Sequence, residues 1–123
     1  MTIKSEAQDL FDRMARSYRT ADAKSCAALF TEDAVLLSPY APAAHGRAAI
    51  EALHRDWMAD GPGEKTLTVL DAGAAGDQAW CFVAYSEGDP AFDGKTLCTL
   101  QRQPVGGWLV QYCSLTSDIP PLA

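Results

Sequence analysis

Basic residues are scarce in this chain: 10 Lys and Arg stand against 16 Asp and Glu, a net charge of -6 over 123 residues. That balance repels a phosphate backbone and no local run of Lys or Arg offsets it, so no nucleic acid is expected as a partner. Long apolar runs are missing too. No stretch approaches the roughly 20 residues that span a bilayer, and Glu6 and Asp9 fall where a secretory signal needs an unbroken apolar segment. The chain is therefore expected to be soluble and cytoplasmic, with no membrane partner. It has 2 histidines, His45 and His54, too few for a metal site without carboxylates that the spacing does not supply. Gly-x-Gly-x-x-Gly, Walker and Gly-x-Ser-x-Gly motifs are absent, which leaves nucleotide cofactors and the usual serine hydrolases without support. Neither a cofactor nor a metal is expected. Cys26, Cys81, Cys98 and Cys113 form no Cys-x-x-Cys pair, and three of them sit in apolar strand patterns, where a thiol acts as a small buried hydrophobe.

What is present suits one globular domain over residues 1–123. Hydrophobic residues make up 48% and charged residues 21%, a balance that argues against disorder or a coiled coil, and a chain of this length buries roughly two thirds of its unfolded surface.

Leu10, Phe11, Met14, Ala15 and Tyr18 recur at helical spacing and predict an amphipathic helix from Ser5 to about Tyr18, with Ser5 as cap and Gln8 three residues on. Asp22 reads as the cap of a shorter helix through Phe30. Ala34 to Ser38 reads as a strand stopped by Pro39, and Tyr40 to His45 as a loop. A third helix runs from Arg47 to about Ala59, with Ile50, Leu53, His54 and Trp57 on one stripe, and Gly61-Pro62-Gly63 ends it. The period then changes to two. Lys65–Ala72, Ala79–Glu87, Lys95–Gln103 and Trp108–Ser117 read as four strands joined by antiparallel hairpins, with Gly73 to Asp77 as the first connection. Three helices followed by a curved, mostly antiparallel sheet is an α+β layout in which the helices cover one sheet face.

Trp80-Cys81-Phe82-Val83-Ala84-Tyr85 and Trp108-Leu109-Val110-Gln111-Tyr112 are apolar on both faces, whereas a half-solvated antiparallel sheet should alternate. The outer, convex face is thus expected to be covered, most economically by a second copy of the same sheet in a homodimer.

The order Ala27-Ala28-Leu29-Phe30-Thr31-Glu32-Asp33-Ala34, the strand stop at Pro39, the helix start Gly46-Arg47-Ala48-Ala49-Ile50 and a final Gly106-Gly107-Trp108 strand resemble the NTF2-like superfamily. The likeness is to its SnoaL-like and ketosteroid-isomerase-like branch, and Ser117-Asp118 adds a similarity to the DUF4440 subgroup. The resemblance implies a cone-shaped fold enclosing a pocket, and a homodimer. In the steroid isomerases of this superfamily a Tyr on the first helix and an Asp before the proline carry the reaction. Laying the two patterns on Phe30 and Pro39 puts Met14 at the Tyr position and Ser38 at the base position, and Leu97-Cys98-Thr99 offers no second carboxylate. An isomerase mechanism of that type is disfavoured. The Asp, Arg, Asp set of the related epoxide hydrolases finds only Gln101-Arg102-Gln103. The polyketide cyclases of the branch use Asp and His groups, which leaves room for His54 or His45.

His54, placed by its stripe toward the interior, is the acid/base candidate; the other reading is a histidine at the pocket rim or in solvent. Met14, Tyr18, Ser38, Tyr40, His45, Trp57, Tyr112 and Ser114 are the candidate pocket residues. Alternation alone leaves open whether Trp108, Val110, Tyr112 and Ser114 face inward or Leu109, Gln111, Cys113 and Leu115 do. Such a pocket suits a flat, mostly apolar or aromatic small molecule. Two functions follow: a cofactor-independent isomerase, cyclase or hydrolase working by proton transfer or water addition, or a non-enzymatic ligand-binding or dimerisation module.

Overall fold

The first helix, α1 (Ile3–Arg19), buries Leu10, Phe11, Met14, Ala15 and Tyr18 along one stripe in the computed structural model, which describes residues 2–119. Its cap is Thr2, whose Oγ1 accepts the Ser5 N–H at 3.1 Å, not Ser5 itself. Gln8 is drawn off to other work. Its side chain donates to the Leu67 carbonyl at 2.9 Å and accepts the Val69 N–H at 2.8 Å, pairing with an edge strand as a neighbouring strand would. A short α2 (Ala23–Ala27) follows, capped by Asp22. It stops earlier than expected because Phe30 already belongs to β1 (Phe30–Ser38), where it pairs with Val110.

Residues 40–45 were expected as a loop. Instead, Pro39 and Tyr40 form a turn and β2 (Ala41–His45) pairs antiparallel with β1. Pro42 is tolerated there because β2 is a sheet edge, where an absent N–H breaks no inner ladder. The third helix, α3 (Arg47–Trp57), starts after Gly46, which at φ +89° holds a turn that favours glycine.

The remaining strands are β3 (Thr66–Ala75), β4 (Gln78–Ser86), β5 (Gly94–Arg102) and β6 (Trp108–Ser117), with a single 3-10 turn at Pro90–Phe92. Ala75 and Gln78 pair around Gly76-Asp77, so the expected Gly73–Asp77 loop is a two-residue hairpin turn. The sheet order is β2-β1-β6-β5-β4-β3, antiparallel throughout except for the parallel β1–β6 pair. This is an α+β architecture, with the helices on the concave face of a six-stranded mixed sheet. Phe11, Phe30, Leu36, Ile50, Val83, Leu100 and Val110 fill the space between them, all fully buried, and each such side chain stabilises the fold by about 1.5–3 kcal/mol.

A bulge on β6 sets which of its side chains face inward. On β6, Leu100 opposes Val110 and Thr99 opposes Tyr112, so Gln111 is the extra residue. The bulge inverts the alternation: Trp108 and Val110 face the core before it, and Cys113 and Leu115 do after it. Neither of the two faces weighed from the sequence is continuous. Tyr112 is thereby turned onto the convex face, 53% exposed, and Ser114 with it, so the expectation that they line the pocket is corrected. Their neighbours on that face are Leu37, Trp80, Phe82 and Leu97, all exposed.

Candidate functional site

Between α1, α3 and the concave sheet lies an open cavity of about 360 Å³, lined by Tyr18, Tyr40, Trp57, Asp60, Lys65, Tyr85, Glu87, Phe92 and Leu115. It shares Tyr18, Trp57, Lys65, Tyr85 and Leu115 with a second, inner space of about 40 Å³. The inner space is bounded by Phe11, Met14, Phe30, Leu36, His54 and Cys113. The outer chamber has the size of a small-molecule site, and the inner one has room for a water or a ligand substituent.

Helix periodicity places four of the candidates. Met14 and Tyr18 are one turn apart on α1 and face the cavity, while His54 and Trp57 do the same on α3. His54 is 5% exposed, wedged among the rings of Trp57 (5.2 Å between centroids), Phe30 (5.9 Å) and Tyr18 (6.3 Å). Its Nδ1 lies 2.8 Å from the Ile50 carbonyl. A carbonyl only accepts, so Nδ1 carries the hydrogen and Nε2 keeps its lone pair. No donor among the described residues hydrogen-bonds to Nε2. Burial lowers the imidazole pKa to about 4, with the Ile50 hydrogen bond opposing and the Lys65 charge assisting. At neutral pH His54 is an uncharged hydrogen-bond acceptor at the inner chamber.

Tyr40 stands at the mouth, 42% exposed, its hydroxyl 2.9 Å from that of Tyr85 and its ring edge-on to Trp57. The Tyr85 hydroxyl donates to the Thr116 carbonyl at 2.9 Å, which leaves Tyr40 to donate to Tyr85. Gly94 lies against this pair. A Cβ there would collide with the Tyr85 phenol and the Thr116 carbonyl, so the close approach of the ring requires glycine.

The other candidates lie elsewhere. Ser38 is half-buried at the end of β1, where its Oγ accepts the Tyr40 N–H at 3.2 Å and it borders a separate shallow depression. His45 is exposed at the end of β2 and lines neither chamber, because strand formation carries it away from the mouth. Cys98 is buried in a row with Cys81 and Cys113 across β4, β5 and β6, its Sγ 3.2 Å from that of Cys113. Its Sγ also lies 3.6 Å from the Thr96 hydroxyl.

Sequence reasoning missed the polar pair at the neck. Lys65, just before β3, and Glu87, just after β4, sit one step beyond the Thr66–Ser86 pair of the hairpin. Lys65 Nζ lies 3.3 Å from the Glu87 carboxylate, 4.6 Å from the centre of the Tyr18 ring and 5.2 Å from that of Tyr85. The Lys65 side chain is only 11% exposed, and Arg19 fixes its backbone by donating to the Lys65 carbonyl at 2.7 Å. Burial lowers the Lys65 pKa, with Glu87 opposing. Tyr18 is pushed well above the usual phenol range by burial first and by the Glu87 carboxylate second.

Among the described residues no helix is long and apolar enough to cross a membrane. The arrangement of helices over a bent sheet recurs in solved structures of low sequence identity, where the likeness is one of fold. A ketosteroid isomerase-like protein from Erwinia carotovora atroseptica superposes with a TM-score of 0.76 at 16% identity, over 95% of this chain and 97% of the other. An NTF2-like protein with a cystatin-like fold from Novosphingobium aromaticivorans gives 0.71 at 23% identity, over 95% and 82%. A protein from Catenulispora acidiphila, solved in complex with S-DNPA, gives 0.72 at 19% identity, over 94% and 93%. No curated protein matches the sequence. The SnoaL-like domain model matches residues 11–102, from the middle of α1 to the end of β5, and the chain therefore belongs to the SnoaL-like domain family, with an NTF2-like fold.

Proposed function

We propose that this protein, one SnoaL-like domain over residues 1–123, binds a small, flat, mostly apolar molecule that carries a hydroxyl. The rings of the ligand lie in the outer chamber against Trp57, Phe92 and Leu115, and the hydroxyl enters the inner chamber and donates to His54 Nε2. The observation that carries the reading is an apolar two-chambered cavity whose inner end holds a neutral imidazole with an uncommitted acceptor. Met14, Tyr18 and Tyr40 complete the wall, and Tyr85 adds a second hydroxyl at the mouth.

The same geometry favours binding over turnover. A base held at about 4 by burial has little driving force to take a proton from carbon. Of the hydrogen-bond partners expected for proton transfer or water addition, Ser38, Tyr40 and Tyr112, Tyr40 lines the outer chamber while Ser38 and Tyr112 line neither.

Titration calorimetry with 2-naphthol and 2-methoxynaphthalene tests the reading. The hydroxyl should bind about fivefold more tightly than the ether, the worth of one hydrogen bond of about 1 kcal/mol. That preference should vanish in His54→Phe. Equal binding of the two probes to the unaltered protein would refute it.

The convex face gives the second part of the proposal, a homodimer. Leu37, Trp80, Phe82, Leu97 and Tyr112 form a contiguous exposed apolar surface across β1, β6, β5 and β4. A second copy fits it because Thr99 and Ser114, the paired residues between these side chains, are uncharged, and the charges on this face, Asp71 beside Phe82 and Lys95 paired with Asp118, stand at the margin of the patch. The buried free thiols fit a reducing cytoplasm. Membership of the DUF4440 subgroup rests on Gly106-Gly107-Trp108 and Ser117-Asp118 alone.

A further inference from the structure

We propose that Lys65 is an imine-forming amine that captures aldehydes or ketones entering the outer chamber. The inference rests on the reading of that chamber as a site for small apolar molecules and adds the class of ligand it reacts with. Three features place the reaction there. Lys65 borders both chambers, so its Nζ faces the path of any ligand moving inward. Its ammonium has three donors and one hydrogen-bond partner among the described residues, Glu87, with the faces of Tyr18 and Tyr85 on the remaining sides. Glu87 is within proton-transfer reach and is itself half-buried, so it can act as the local acid and base.

The surroundings select a carbonyl over a carboxylate. A ligand carboxylate would meet the Glu87 charge beside Lys65, with Asp60 also on the chamber wall, whereas a neutral carbonyl does not. Burial favours the free amine, and the apolar walls suit an aromatic or aliphatic carbonyl compound.

The steps balance without any further reactant. Glu87 takes one proton from the ammonium, and the freed lone pair on Nζ attacks the carbonyl carbon, forming the C–N bond while the π pair moves to oxygen. The oxygen takes that proton back from Glu87. Glu87 then removes a second proton from nitrogen, the nitrogen lone pair expels the hydroxyl, and that proton joins it to leave as water. The product is a protonated imine on Lys65 with Glu87 ionised as before.

The test is reductive trapping on the native protein with 4-hydroxybenzaldehyde and sodium cyanoborohydride at neutral pH, followed by peptide mass mapping. Lys4 and Lys24, both exposed, are internal controls. Burial lowers the Lys65 pKa and so raises its free-amine fraction, so Lys65 should be modified faster than either control, and excess 2-naphthol should slow Lys65 alone. Labelling of Lys65 no faster than Lys4 and Lys24 overturns the inference. If 2-naphthol still binds in that case, the cavity reading stands without it; if 2-naphthol does not bind either, both fall.

Discussion

Acid should destabilise this protein through His54, and the size of the effect follows from where the ring sits. The folded-state pKa is about 4 against 6.5 for a free imidazole. The unfolded chain therefore binds a proton that the native chain refuses. The resulting stability is fully present above pH 6.5 and is lost as pH falls through 4. The whole window is worth about 3 kcal/mol, and the part lost between pH 7 and pH 5 is about 2 kcal/mol. Nearly complete burial means that solvent screens little of it. Urea unfolding at the two pH values, on the unaltered protein and on His54→Gln, isolates the term because every other titrating group is common to both. Stability of the unaltered protein should fall by about 2 kcal/mol more than that of the variant. Equal falls would show that the ring is solvated or charged in the native state, and the neutral acceptor on which the binding proposal depends would be lost.

Three other perturbations test the frame around the cavity. Gln8→Ala removes two hydrogen bonds to β3 and leaves the Leu67 carbonyl and Val69 N–H without those partners, so denaturant unfolding should show a loss of about 2 kcal/mol. Gly94→Ala forces a methyl group into the Tyr85 ring and the Thr116 carbonyl and should cost about 1–3 kcal/mol by the same measurement. An unchanged midpoint would mean that the ring stands off β5. Leu97→Lys puts a charge in the centre of the convex apolar face, 57% exposed in the single chain. Light scattering after size exclusion should show a dimer become a monomer with the fold intact.

Much of the frame is written in periodicity. The stripes on α1 and α3 alone set Met14, Tyr18, His54 and Trp57 on cavity-facing sides, because a helix has one inner face and its spacing names it. The β strands were legible as strands but not as faces. Gln111 carries no glycine or proline that would announce a bulge, yet it reverses the alternation of β6 and moves Tyr112 and Ser114 outward. Hydrophobicity could not find Lys65 and Glu87, since both look like solvated residues at strand ends. The signal lay in the hairpin: with Gly76-Asp77 read as a two-residue turn, β3 and β4 run to their far ends together and bring opposite charges face to face. The bulge at Leu70 blurs that count by one residue. Residues 40–45 misled for a local reason, because Pro42 argues against a strand everywhere except at an edge.

The central claim is that a flat apolar molecule enters between α1, α3 and the sheet, and amide chemical-shift mapping with 2-naphthol tests it most directly. Shifts should concentrate at Tyr18, Trp57, Lys65, Tyr85 and Leu115, with the Trp57 indole among the largest. Shifts centred on Trp80, Leu97 and Tyr112 would place the ligand on the convex face and contradict the account.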